Sequence, residues 1–332
     1  MKFKAAVLEQ KKKIRIAEIK DTGLLDDNVI VKMKYSGICG SQIAEYLGLR
    51  GKDKYLPHLL GHEGTGIIHS FGKNVKNFKK GDKVFLTWIK PRSKNYKNYH
   101  FYEKQKKINA GPITTFSEYT YVSKYCVYKL PKYLDLKKGV LMGCALPTGY
   151  GMVKNFSNVF NKKILIVGLG GVGLSCLLTA IQYKPKIIHI FDKNKERLDE
   201  IYKKIKKNNL KIVNNLKNKQ YDYIFESTGN IVSLQKTIYY LSDNGKCIFA
   251  SHPKNNLKLK ISPHELIKGK KIEGTWGGNV KYPRDIQKIA LIIKKNKDLI
   301  NLFFKKTHSF KNIQLALNEY FKGNTIRPII KF

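Results

Sequence analysis

The chain has 332 residues, 42% of them hydrophobic, with 64 Lys and Arg against 24 Asp and Glu, a formal net charge of +40. That apolar share excludes wholesale disorder, and 26 glycines and 10 prolines exclude a fibrous or low-complexity chain. The length is enough to bury one or two cores.

The charge invites a nucleic-acid reading. Only six of the basic residues are arginines, however: Arg15, Arg50, Arg92, Arg197, Arg284 and Arg327. Arginine is the usual reader of bases and of phosphate pairs. Lysine is abundant together with Ile, Asn, Tyr and Phe, whose codons are AT-rich, so the charge reads as surface background and no nucleic-acid partner is expected. Five dispersed cysteines (Cys39, Cys126, Cys144, Cys176, Cys247) suggest no disulfide framework and fit a reducing cytoplasm. The opening MKFKAAVLEQKKKIRI carries no apolar signal core, so the expected location is cytoplasmic, without membrane attachment.

The first third predicts short strands at Phe3 to Val7, Val29 to Tyr35, Gly64 to Phe71 and Lys83 to Ile89, separated by turn signals at 72–74 and 80–82. This is the pattern of a small β-barrel or folded sheet. The run from Lys90 to Lys107 predicts an exposed loop. From about Asn161 the pattern alternates: strand at Ile164 to Val167, helix to Tyr183, strand at Ile187 to Phe191, helix from Lys193 to Lys207, then strands at Tyr221 to Glu226 and Cys247 to Ser251. Alternating β and α implies a parallel sheet covered on both faces. A helix near Ile286 to Lys295 and a strand-like tail from Thr325 to Phe332 follow. The uncharged stretch Ile164 to Tyr183 is long enough for a membrane span, but its glycines make strand, turn and helix the better reading.

Gly168-Leu-Gly170-Gly171-Val172-Gly173 is a G-x-G-x-x-G element placed after the strand ILIV and opening a helix. That context is what dinucleotide binding requires: a tight turn, close backbone approach to the pyrophosphate, close helix packing, and a helix N-terminus offering N–H groups to phosphate. Nineteen residues on, Asp192 ends the next strand, where a carboxylate accepts from ribose hydroxyls and repels a 2′-phosphate; this favours NAD. The bland alternative is a packing turn with Asp192 as a solvated cap.

Cys39 lies in SGICGS, His62 in GHEG and Cys144 in GCALPTGYG. Two thiolates and an imidazole are a zinc set, and three protein ligands leave a fourth position open, as a catalytic site needs. Their separation in the chain is too wide for spacing alone to join them, since a lone cysteine is more often a small core residue.

Taken in order, these elements, the G-x-G-x-x-G and the closing Thr325-Ile326-Arg327 resemble the zinc-dependent alcohol dehydrogenases of the medium-chain dehydrogenase/reductase superfamily. GHEGTG, LMGC-x3-TGYG and GTWGG carry the closest likeness, which runs over nearly the whole chain. The resemblance implies a doubly wound parallel-sheet (Rossmann) coenzyme domain at 146–276 and a mainly β, GroES-like catalytic domain at 1–145 and 277–332. It implies zinc on Cys39, His62 and Cys144, with Glu63 near the metal and Ser41 passing the substrate proton outward. It sets Thr148 and Val172 against the nicotinamide and Arg327 on the pyrophosphate. Trp88 falls at a substrate-pocket position or is a sheet-core aromatic. A homodimer or homotetramer is also implied.

Three departures matter. Gln42 stands where many members place an acid on the ligand histidine, and Ala44 where some relay protons through a histidine. The lobe that elsewhere holds a four-cysteine structural zinc contains no cysteine here, so one zinc per chain is expected. Arg50, Lys52, Lys54, Lys90 and Arg92 flank the cleft elements and offer charge to an anionic group. The expected activity is NAD-linked oxidation of an alcohol, polyol or sugar-derived hydroxyl. The alternatives are a catalytically silent member binding NAD or nucleic acid, and a zinc-free quinone or enoyl reductase.

Overall fold

The structure is a computed structural model that describes residues 1–89, 98–205, 207–254, 256–323 and 325–332. Residues 1–144, 281–290 and 303–332 form one compact unit, and residues 145–280 and 291–302 a second.

The first unit opens with β1 (Lys2–Gln10), β2 (Lys13–Lys20) and β3 (Asn28–Gly37), followed by helix α1 (Gly40–Tyr46). Then come β4 (His58–Leu59), β5 (Glu63–Phe71), β6 (Lys83–Thr87), β7 (Tyr99–Glu103), β8 (Lys106–Ala110), β9 (Tyr119–Ser123), β10 (Val127–Lys129) and α2 (Leu136–Gly139). Strands β1, β2, β7, β8 and β4 close into a barrel. Its interior is aromatic: Phe3, Tyr99, Phe101 and Tyr121 are all buried, with Phe3 edge-on to Phe101 at 5.6 Å between ring centres.

The predicted loop from Lys90 to Lys107 is corrected here, because β7 and the start of β8 fall within it; residues 90–97 lie outside the described residues. Tyr99 and Phe101 point inward while His100 and Tyr102 do not, an alternation hidden by neighbouring lysines. Strand β2 (KIRIAEIK) went unpredicted for the same reason: its buried Ile14, Ala17 and Ile19 are interleaved with charges.

The second unit begins with α3 (Ala145–Phe156), β11 (Lys163–Val167), α4 (Gly171–Ala180), β12 (Ile187–Phe191), α5 (Lys195–Lys204) and β13 (Leu210–Ile212). It continues with β14 (Tyr221–Glu226), α6 (Ile231–Thr237), β15 (Leu241–Phe249), α7 (Pro263–Ile267) and β16 (Lys271–Gly274). The six strands run in the order β13-β12-β11-β14-β15-β16, every neighbouring pair parallel. Ile164, Leu165 and Ile166 on β11 are fully buried, as a strand covered on both faces demands. The order reverses between β11 and β14, which opens the crevice at the carboxyl ends of these strands where α/β sheets bind ligands.

Helices α8 (Ile286–Lys295), α9 (Lys297–Ile300) and α10 (Ile313–Phe321) and strands β17 (Thr307–Ser309) and β18 (Ile329–Lys331) complete the chain. In the first unit, β10, β6, β5, β3, β18 and β17 lie side by side, with β9 also pairing β3.

Asp285, 1% exposed, sits one residue before α8. Burial pushes its carboxyl up, but the Arg284 guanidinium at 3.0 Å and the Lys281 N–H at 3.0 Å outweigh that and hold it below its ordinary value. A carboxyl whose folded pKa is depressed contributes stability that is full above the unfolded value near 4 and is lost as pH falls through the folded one. Asp285→Asn is therefore expected to cost about 1–2 kcal/mol at pH 7. The gap to wild type should shrink in denaturant titrations as pH falls below the ordinary carboxylate value and through the lower folded one; a gap independent of pH would refute the account.

Candidate metal centre and dinucleotide site

Strand pairing and the turn before Cys144 gather the candidate metal ligands at one end of the first unit's sheet. Cys39 follows the end of β3, His62 precedes β5, and Ser36 on β3 faces Gly64 on β5. Ile329 on β18 faces Gly37, and the Ile38 N–H donates to the Pro328 carbonyl at 3.0 Å, which brings Arg327 alongside. Cys144 ends a 3₁₀ turn (Val140–Gly143) whose Gly143 carbonyl accepts from the Thr87 hydroxyl at 2.7 Å. The Tyr282 hydroxyl donates to the Met142 carbonyl at 2.6 Å and holds the same turn.

One ligand atom each from Cys39, His62 and Cys144 lie within 4.8 Å of one another, the one such group of metal-ligating side chains among the described residues. The two sulfurs are 3.9 Å apart and His62 Nε2 is 3.3 Å from Cys144 Sγ. Tetrahedral zinc with ordinary bond lengths would set those separations near ~3.8 Å and ~3.6 Å. The donor set therefore fits zinc in both chemistry and spacing. The two thiols are coupled: the hydrogen bond with Cys144, assisted by Arg327 and His62, holds Cys39 well below the usual thiol range. The same pairing, together with burial, pushes Cys144 up.

The other expected residues of this unit fall nearby. Ser41 Oγ, in the first turn of α1, is 3.5 Å from His62 Nδ1. Trp88 is half-buried, edge-on to the His62 ring at 6.3 Å between centres, and also packs on the sheet core, so both of its sequence readings have a contact. Gln42 completes a capping box at the start of α1, its Oε1 accepting from the Cys39 N–H at 2.7 Å.

Glu63 is completely buried and ion-paired with Arg327, which is 1% exposed and whose Nη2 lies 3.8 Å from Cys39 Sγ. Burial works to discharge the guanidinium, but Glu63, Cys39 and Cys144 outweigh it and raise its pKa; burial also raises Glu63, against the pull of Arg327 and His62. Space for the pair exists because residue 37 is glycine: a Cβ there would lie 2.3 Å from Glu63 Oε1. The Glu63 carbonyl is fixed by the hydroxyls of Ser36 at 2.9 Å and Thr115 at 3.0 Å. Sequence reasoning missed Thr87, Tyr282, Ser36 and Thr115, since lone hydroxyls in or near strands carry no spacing signal.

In the second unit, the glycine-rich turn leaves β11 at Gly168, whose φ of +84° favours glycine. A Cβ on Gly173 would lie 1.7 Å from the Gly168 carbonyl oxygen, so no larger residue fits without moving the turn. A Cβ on Gly170 would meet nothing within 4 Å, leaving open space over the turn. Gly170 brings no side-chain cap to the N-terminus of α4, where Gly171 and the half-buried Val172 lie in the first turn. A helix start whose N–H groups meet no side-chain cap is what a pyrophosphate requires.

Asp192, after β12, accepts from the Leu169 N–H of that turn at 2.6 Å and from the Asn194 N–H at 2.8 Å, and lies 3.6 Å from Arg197. Thr148 is buried in the first turn of α3. Glu226, fully buried at the end of β14, was missed. It accepts from the Thr228 N–H at 3.0 Å and the Ser251 hydroxyl at 2.9 Å, tying the loops that leave β14 and β15.

Comparison with known proteins agrees with this architecture. The family model of the alcohol dehydrogenase GroES-like domain matches residues 25–132. Alcohol dehydrogenase 6 of Peromyscus maniculatus is 25% identical over 340 residues, covering 91% of this chain and 90% of that one. The fold matches benzyl alcohol dehydrogenase from Acinetobacter calcoaceticus with a TM-score of 0.88 at 22% identity, covering 100% and 99% of the two chains. It also matches a dehydrogenase from Sinorhizobium meliloti 1021 solved with NADP bound, with a TM-score of 0.79 at 17% identity and full coverage of both chains (100% each). No helix among the described residues is long and apolar enough to cross a membrane. The chain thus carries an alcohol dehydrogenase GroES-like domain at residues 25–132, is similar in sequence to alcohol dehydrogenases over 91% of its length, and shares the fold of solved dehydrogenases.

Proposed function

We propose that this chain is a zinc-dependent, NAD-linked dehydrogenase that oxidises an alcohol, polyol or sugar-derived hydroxyl, or reduces the corresponding carbonyl. The observation that carries the reading is the Cys39–His62–Cys144 triangle, whose sulfur and nitrogen separations suit one tetrahedral ion and leave a fourth position for substrate. Zinc, when bound, lowers the pKa of a hydroxyl and NAD accepts the hydride. Ser41 receives the hydroxyl proton and hands it outward, and Glu63, balanced by Arg327, supplies a carboxylate beside the ligands. Trp88 flanks the substrate, Thr148 and Val172 face the nicotinamide, and Arg327 contacts the pyrophosphate. The intact ligand set argues against a zinc-free reductase or a silent binding protein. A cytoplasmic homodimer or homotetramer is part of the same proposal.

The deciding experiment combines metal analysis with a screen of alcohols and polyols read by nicotinamide absorbance. The reading expects one zinc per chain and NAD-dependent oxidation. Two zincs, or zinc-loaded protein that oxidises none of the panel, would overturn it.

Coenzyme preference rests on Asp192. Asp192→Ala is expected to raise the NAD dissociation constant about tenfold and to narrow NAD-over-NADP discrimination. About 1.4 kcal/mol corresponds to that change and matches the loss of charge-assisted hydrogen bonds. Because the carboxylate also holds the Leu169 N–H, Asp192→Asn serves as the partial rescue. Unchanged binding of both coenzymes by calorimetry would remove Asp192 from the ribose site.

A further inference from the structure

The first unit contains a cleft of about 660 Å³ that reaches the metal-binding residues through His62 and Gln42 and is walled by the segment around residues 48–58. Its size suits a small organic ligand. Two acidic side chains line it, and both are engaged. Glu45 binds Arg50 at 2.9 Å, and Asp53 binds the His58 ring at 2.8 Å and the Tyr55 N–H at 2.9 Å. Lys52 and Lys54 line the same wall, exposed, with no acidic partner among the described residues.

A second observation points the same way from the inner end. Gln42 is 1% exposed, and its carbonyl oxygen is fixed by the Cys39 N–H, so the orientation of the amide is determined. Its Nε2 is buried with no hydrogen-bond partner among the described residues. A buried donor without an acceptor is costly, and an oxygen-bearing ligand in this cleft would supply one. Uncompensated cations on the wall select a negatively charged group, and the orphaned Gln42 donor, on a residue that also lines the cleft, calls for an oxygen acceptor.

We infer that the hydroxyl substrate carries an anionic group, a carboxylate or a phosphate, seated in this cleft against Lys52 and Lys54. The inference rests on the dehydrogenase reading above and names the substrate class for it.

Two measurements test it. In the first, zinc-loaded enzyme is assayed with glycerol 3-phosphate and 6-hydroxyhexanoate against glycerol and 1-hexanol. The expected result is a higher kcat/KM for at least one anionic member over its neutral partner. That ratio should fall about tenfold in Lys52→Gln/Lys54→Gln and hold in Lys203→Gln/Lys236→Gln, which removes equal charge from the other unit. The member that gains identifies phosphate or carboxylate. Turnover of the neutral alcohols with no anionic preference overturns this inference and leaves the dehydrogenase reading standing; no turnover of any of the four overturns both.

In the second, inorganic phosphate is titrated into the zinc-loaded protein by calorimetry, independently of turnover. One site per chain is expected, weakened at least fivefold in Lys52→Gln/Lys54→Gln and unchanged in the Lys203/Lys236 control. Equal weakening in both pairs would reduce the effect to general surface charge and overturn the site, as would the absence of phosphate binding together with no preference for 6-hydroxyhexanoate in the first assay.

Discussion

Cys39→Ser is expected to lower kcat/KM by about a thousandfold or more while leaving NAD binding within about twofold of wild type. A serine hydroxyl is a poor zinc ligand beside a thiolate, because it stays protonated at neutral pH and is harder than sulfur. A thousandfold loss corresponds to about 4 kcal/mol of transition-state stabilisation, a reasonable share for a metal that polarises the reacting oxygen. His62→Ala is expected to do the same by removing the imidazole. Coenzyme binding persists because the glycine-rich turn and Asp192 belong to the second compact unit, whereas all three ligands belong to the first. Three measurements read this together: zinc content, steady-state kinetics, and calorimetric NAD binding. Wild-type turnover in either variant would end the zinc reading. Joint loss of zinc, turnover and NAD binding would instead mean that the substitution had unfolded the chain.

The second unit was far more legible in the sequence than the first. Its strands are short apolar runs because both faces of the parallel sheet are covered, and the glycine turn and Asp192 occupy fixed places relative to β11 and β12. The predicted helix from Lys193 to Lys207 is α5 at Lys195–Lys204, a shift of two or three residues, but the strand predicted from Cys247 begins six residues earlier at Leu241, and the short edge strands β13 and β16 were not predicted. In the first unit, one-sided strands alternate, and the lysine background filled their outward positions and some of the turns alike. That is why β2 and β7 were lost while the more apolar β3 and β5 were found. The metal centre shows the complementary limit. The types of Cys39, His62 and Cys144 suggested zinc, but they are spread over 106 residues of sequence; the β3–β5 pairing brings the first two segments together, and the Thr87 and Tyr282 hydrogen bonds hold the Cys144 turn beside them. Glu226 lay in a segment correctly read as strand, yet nothing in a lone carboxylate at a strand end says that it will tie two loops.

Arg327→Ala is expected to destabilise the protein by about 3–5 kcal/mol, the range for breaking a buried ion pair by removing one partner. The magnitude follows from what remains. Glu63 is completely buried, and its second carboxylate oxygen already lacks a hydrogen-bond partner among the described residues. With Arg327 gone, the carboxylate would stand uncompensated in a space that Gly37 keeps too tight for it to swing away. Arg327→Lys should be intermediate, because a single ammonium keeps the charge but loses the planar fork. Glu63→Gln/Arg327→Ala should recover much of the loss, since the neutral amide removes the buried charge. Denaturant melts of the metal-free proteins give these differences without contribution from zinc. An Arg327→Ala cost under about 1 kcal/mol, or a double variant no better than the single, would show that the pair is incidental to stability. The same variants separate the two roles of Arg327. A structural role alone predicts that NAD affinity recovers along with stability in the double variant. A pyrophosphate contact predicts that affinity stays low, because the Nε of Arg327, which has no partner among the described residues, and the rest of its guanidinium are missing from both.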